Sequence, residues 1–175
     1  YEFIFFNDGS QDRSMELIHA LSDNYDYIKY IDFSRNFGHQ VAVMAGLDHA
    51  SGKASVIIDA DLQDPPELIP EMFEKWRQGY EVVYAKRKTR RGENVFKKWT
   101  ASIFYRLLRK VTDFDIPVDV GDFRIIDQKI VKVLQKMPER SKYLRGQIAW
   151  MGFRQTYVTF ERAERHAGKT GYSLK

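Results

Sequence analysis

The chain has 175 residues, enough for one domain with a full hydrophobic core. Its 43% hydrophobic and 14% aromatic content marks a globular chain, and the absence of cysteine excludes disulfides, thiolate metal sites and cysteine nucleophiles. Net charge is only +4, yet ten Lys or Arg and one acid, Glu93, fall between Lys86 and Lys110. Such a stretch faces phosphates or forms a solvated helix face.

The opening YEFIFF is already in strand pattern and reads as a piece of a longer protein. EFIFF ends in the turn signal NDGS, and a helical pattern follows through Met15, Leu17, Ile18 and Leu21, with Ser10 or Asp12 as caps. IKYIDF predicts a strand. GHQVAVMAGLDHA predicts a helix apolar nearly all round, hence deeply buried. VIIDA predicts a buried strand, PELIPEMFEKWRQG an amphipathic helix with prolines near its start, and YEVVYA a further strand. FKKWTASIFYRLLRKV predicts a long helix, DVGDFRIIDQKIVKVLQKM a strand–turn–helix, and FRQTYVTFERAE a late strand. No apolar run reaches the length needed to cross a bilayer. Strands alternating with helices imply an α/β fold with parallel strands and crossover helices, whose ligands bind beyond the carboxyl ends of the strands. NDGS and DADLQD both stand at such ends and are expected to converge on one crevice. The whole chain, residues 1–175, reads as one domain with a nucleotide-binding half (1–85) and an acceptor-facing half (86–175).

Three aspartates crowd the end of the VIIDA strand, so a positive charge is expected among them. Asp59 and Asp61, at i and i+2, can approach one hard cation, and Gln63 adds an amide oxygen on the same side as Asp61. Oxygen donors favour Mg²⁺ or Mn²⁺. The plainer reading is a turn in which the aspartates, Asp64 foremost, cap the next helix. Asp8 and Gly9 form a tight turn, and Asp8 can accept hydrogen bonds from a nucleobase or ribose. Neither a G-x-x-x-x-G-K-(S/T) loop nor a G-x-G-x-x-G after a strand is present, so phosphate must be held by metal and arginine. Arg35, Arg87, Arg91 and Arg124 are the candidates. The four histidines show no metal spacing, and His39 reads as structural.

NDGSQDRS, RNFG, DADLQDPPE and GDFR, in that order and spacing, resemble glycosyltransferase family 2 with its Rossmann-like GT-A fold. More narrowly they are similar to the polyprenyl-phosphate branch of dolichyl-phosphate mannose synthases and undecaprenyl-phosphate glycosyltransferases. The ERHAGKTGYSLK stretch resembles that branch's R-x-x-G-x-(S/T)-K-Y-x-x-x-K signature, with Gly171 where lysine is usual. The family's first strand, with its P-x-(Y/F)-N-E motif, is not in this sequence, and transmembrane helices are expected beyond Lys175.

The resemblance implies a mostly parallel sheet flanked by helices, with Asp8 on the nucleoside, Asp59 on the ribose side, and Asp61 with Gln63 holding the divalent metal. It implies an inverting transfer from a nucleotide sugar, UDP-linked by family preference, to a polyprenyl phosphate at the cytoplasmic membrane face. Asp122 is the candidate base or orienter, and Arg87, Arg91 and Arg124 are the acceptor-phosphate cations. The helix Phe96 to Val111, with a Trp/Phe/Leu face and basic flanks, is expected to lie on the membrane surface. Nucleic acid is not an expected partner, and a homo-oligomer is compatible with the reading. Two rivals stand beside it: a soluble family 2 enzyme adding sugar to a polysaccharide hydroxyl, and a non-catalytic nucleotide-sugar-binding module.

Overall fold

A computed structural model of the protein describes residues 1–88, 120–139 and 143–161. The expected helix 96–111, Arg91 and the signature at 164–175 lie outside these residues. Among the described residues, the chain divides into two compact units. One combines Tyr1–Ser55 with Asp127–Gln147, the other Val56–Ile126 with Ile148–Lys175.

In the first unit β1 (Phe3–Asn7) pairs in parallel with β2 (Ile28–Asp32), from Phe3 opposite Ile28 to Asn7 opposite Asp32. A parallel pair needs a crossover, which α1 (Ser14–Asn24) supplies. Asp12 accepts the Ser14 amide at 2.9 Å, so this one of the two expected capping residues satisfies a donor at the helix start. α2 (His39–His49) packs on β1. A β-carbon at Gly46 would overlap the Phe6 ring, so the close approach of helix to strand requires glycine there. The apolar pattern of α2 overstated its burial. Ala42, Val43, Met44, Gly46 and Leu47 are buried, while Val41 is 48% exposed, because the helix meets its neighbours on one face only.

α4 (Gln128–Lys136) packs against α2 and buries Ile130, Val131 and Leu134; α3 (Ile69–Arg77) belongs to the second unit. Asp127 caps it by accepting the Lys129 amide at 2.9 Å.

The second unit holds β4 (Val82–Arg87), which pairs antiparallel with β5 (Val120–Asp127) and parallel with β6 (Gln155–Phe160). The four-stranded order is β3-β5-β4-β6, with β3 spanning Ala54–Ile57. Beside the parallel pairings foreseen in the sequence, β4 and β5 run antiparallel. Val82, Val83, Tyr84 and Ala85 are all buried, as befits a strand with a neighbour on each side. A 3-10 turn (Pro66–Leu68) leads into α3 (Ile69–Arg77), whose Met72 is fully buried where the helix packs on β4 and β6.

Two expectations need correction. VIIDA is not a buried strand: Val56 and Ile58 are 39% and 38% exposed, because β3 is the outermost strand of its sheet. A seven-residue helix, α5 (Leu144–Trp150), was not foreseen. Gly146 within it weakens helix propensity, and burial of Leu144, Ile148 and Ala149 decides the matter instead. No helix among the described residues is long and apolar enough to cross a membrane.

Candidate active site

The NDGS turn is built on a buried asparagine. Asn7 donates to the Asp32 carboxylate at 2.8 Å and accepts the Ser10 amide at 2.9 Å, closing the turn around Asp8 and Gly9. Gly9 has φ +78°, and a β-carbon there would lie 2.7 Å from the Asn36 nitrogen. NDGS and RNFG therefore touch backbone to backbone, which only glycine permits. Asp8 completes the junction, accepting the Phe37 amide at 2.6 Å and the Gly38 amide at 2.9 Å. Sequence reasoning missed this second task of Asp8, which fixes the loop entering α2. Arg35 lies on the same loop, exposed, with its guanidinium 4.1 Å above the Phe37 ring.

In the other unit DADLQD leaves β3 and turns sharply. Asp61 accepts the Gln63 amide at 3.1 Å, and Leu62 between them has φ +59°. Asp59 is exposed and Asp61 half-buried, while Gln63 and Asp64 are buried. Asp64 stands one residue before Pro65, the cap position of the 3-10 turn. The donor set of Asp61 and Gln63 consists of hard oxygens, which fits Mg²⁺ or Mn²⁺. Among the described residues no group of three or more His, Asp or Glu forms a metal cage, and Mg²⁺ typically takes only one or two carboxylates plus substrate phosphates.

The GDFR segment sits in a break of the β4–β5 ladder. Tyr84 faces Arg124 and Lys86 faces Val120, so three residues of β5, Gly121 to Phe123, oppose Ala85 alone. This bulge re-aims Asp122 out of the regular alternation, a device frequent beside active sites. Arg124 is 1% exposed. It donates to the Asp122 carbonyl at 3.1 Å, to the Gly121 carbonyl at 3.3 Å and to the Asp122 carboxylate. Its guanidinium lies 5.5 Å from the centre of the Tyr84 ring, and the Tyr84 hydroxyl donates to Gln155 at 2.9 Å.

Arg124, expected among the acceptor-phosphate cations, is buried and bonded to Asp122. Arg87 lies beside the same segment: a β-carbon at Gly121 would be 3.6 Å from its guanidinium. The structure thus brings Asp122, Arg124 and Arg87 together, and Asp61 with Gln63. Asp8 belongs to the other unit. Asn7, Leu62, Tyr84 and Gln155 were overlooked in the sequence. Only Asn7, beside a D-G turn, carried a local signal.

Residues 1–135 match the family described as glycosyl transferase family 2. An uncharacterized glycosyltransferase of Bacillus subtilis (strain 168) is 57% identical over 177 residues, covering 100% of this chain and 54% of that protein. A prophage bactoprenol glucosyl transferase homolog of Escherichia coli (strain K12) is 42% identical over 172 residues, 98% of this chain and 56% of that protein. The chain thus spans about half the length of the curated relatives it matches.

Among solved structures, a mannosyltransferase from Pyrobaculum calidifontis in complex with GDP-Man and Mn²⁺ superposes with TM-score 0.63 at 19% identity, covering 98% of this chain and 49% of that one. Glucosyl-3-phosphoglycerate synthase from Mycobacterium tuberculosis, in complex with Mn²⁺, UDP-glucose and phosphoglyceric acid, superposes with TM-score 0.59 at 18% identity, covering 94% and 61%. These likenesses agree with the GT-A fold expected from the motifs. On the match over most of its length and the identity to its relatives, the chain belongs to glycosyl transferase family 2.

Proposed function

We propose that the protein containing this chain is a metal-dependent, inverting glycosyltransferase that moves a sugar from a UDP-linked donor to a polyprenyl phosphate at the cytoplasmic membrane face. The observation that carries the reading is 42% identity, over 98% of the chain, to a relative named a bactoprenol glucosyl transferase homolog. Fold neighbours bound to nucleotide sugars and Mn²⁺ support the donor class and the cation.

In this reading Asp8 contacts the nucleoside. Two of its carboxylate's acceptor sites hold the Phe37 and Gly38 amides, and a carboxylate offers about four. Asp59 serves the ribose side, while Asp61 and Gln63 hold the cation against the diphosphate. A divalent cation there supplies positive charge to the departing nucleoside diphosphate. Arg87 and Arg91 neutralise the acceptor phosphate, since a phosphate dianion calls for paired cations. A phosphate monoester with second pKa of about 6 is mostly dianionic at neutral pH, so it needs no base. Asp122 therefore orients the acceptor, and Arg124 holds Asp122 in place. The segment 96–111, with its Trp, Phe and Leu residues and basic neighbours, meets the membrane surface.

The test is an assay of the full-length protein with a panel of nucleotide sugars and undecaprenyl phosphate, with and without EDTA, reading anomeric configuration by NMR. Transfer to a hydroxyl acceptor but none to the lipid phosphate would favour the polysaccharide-extending rival. Donor binding with no turnover would favour a binding module.

A further inference from the structure

Among the buried residues of β4, Val82, Val83 and Ala85 are apolar, and only Tyr84 carries a polar atom into the core. A phenylalanine would fill the same space with no hydroxyl to satisfy. The Tyr84 hydroxyl donates to the Gln155 side-chain oxygen on β6 at 2.9 Å. Gln155 is anchored in turn, its Nε2 donating to the Ile148 carbonyl at 3.4 Å. The ring so fixed meets Arg124. Tyr84 stands opposite Arg124 in the β4–β5 ladder, at the last regular pair before the bulge that carries Asp122. The guanidinium lies 5.5 Å from the ring centre, within cation–π range, and Arg124 is 1% exposed. With water excluded, the negative face of the ring is a strong partner for that charge. Arg124 then donates to the Asp122 carboxylate and to the Gly121 and Asp122 carbonyls. A continuous path of contacts therefore runs from the Ile148 carbonyl through Gln155, Tyr84 and Arg124 to a carboxylate that keeps 29% exposure. All of these residues belong to the second unit.

We propose that Tyr84, anchored by Gln155, is a positioning residue that acts through Arg124 to aim the Asp122 carboxylate at the acceptor. This rests on the reading of Asp122 as the acceptor's orienter given above. A tyrosine that only fills the core would affect transfer to the same degree with or without Asp122. A positioning tyrosine loses its effect once the Asp122 side chain is gone, because residues that act as a unit are non-additive.

The experiment is a double-mutant cycle in kcat/KM for undecaprenyl phosphate, on the full-length protein, with the UDP-sugar selected by the panel above. The donor is radiolabelled, so that losses of about 10⁴ stay measurable. Tyr84→Phe keeps the ring and removes its anchor, Tyr84→Leu removes both, and each is combined with Asp122→Ala. Tyr84→Leu should lower kcat/KM about tenfold or more and Tyr84→Phe about threefold, with UDP affinity within about twofold of wild type. Gln155→Leu should reproduce Tyr84→Phe. Beside Asp122→Ala, none of these changes should lower kcat/KM measurably further. Losses that persist undiminished in the Asp122→Ala background would overturn this inference alone, and so would full activity in all three single variants. Where Tyr84→Leu does not fold, the Tyr84→Phe cycle decides by the same criterion. Wild-type activity in Asp122→Ala would overturn the orienter reading and this inference with it.

Discussion

Arg124→Met tests whether the buried guanidinium serves Asp122. Methionine keeps much of the length and apolar stem but removes every donor. Arg124 is 1% exposed, and its loss strands two backbone carbonyls and the Asp122 carboxylate. Breaking a buried ion pair from one side typically costs about 3–5 kcal/mol. The Asp122 side chain keeps 29% exposure, so water recovers part of its solvation and the lower end, about 3 kcal/mol, is expected. At about 2–4 °C per kcal/mol for a chain of this size, the unfolding midpoint should fall by about 6–12 °C.

The assay is thermal unfolding of the full-length protein in a double-mutant cycle with Asp122→Asn, where paired residues should couple by about 0.5–3 kcal/mol. A cycle additive to within about 0.5 kcal/mol would refute the pairing. A raised KM for lipid phosphate in Arg124→Lys, at unchanged midpoint, would return Arg124 to the acceptor cations.

Gly9→Ala places a β-carbon 2.7 Å from the Asn36 nitrogen at φ +78° and should cost at least about 1–2 kcal/mol in urea unfolding; a change near zero would count against the NDGS–RNFG contact. Hydrogen bonds from Lys29 and then from Ser51 hold the Glu2 carboxyl at about 2 instead of its usual 4.5. A depressed folded pKa stabilises above the unfolded value, so the advantage of wild type over Glu2→Gln should shrink as pH falls from 4.5 to 2. Acid unfolding of both proteins would show it, and a constant gap would contradict it. Asp61→Ala should remove the divalent dependence of UDP binding in calorimetry; equal Mn²⁺-dependent affinity in wild type and variant would sink the ligand assignment.

The sequence alone determined whatever depends on local pattern. FIFF and VVYA are strands because runs of β-branched and aromatic residues suit a pleated backbone, and IVKVL makes a helix because its apolar residues recur at helical spacing. The motifs, too, were legible, since Asp-Gly turns and acids at strand ends are written in adjacent residues.

Tertiary structure decided what depends on distant partners. Whether VIIDA is covered follows from its place at the edge of a sheet, which no pattern in those five residues encodes. Arg124 reads as an acceptor-phosphate cation, and only the fold shows Tyr84 of β4 and the Asp122 carboxylate of the β5 bulge beside it. Asp8 reads as a ligand for substrate, and only the fold shows that residues about thirty positions later also bring two amides to it. Charge and hydrogen-bonding capacity belong to a residue. Which partner consumes them is fixed by chain segments far apart in sequence and close in space.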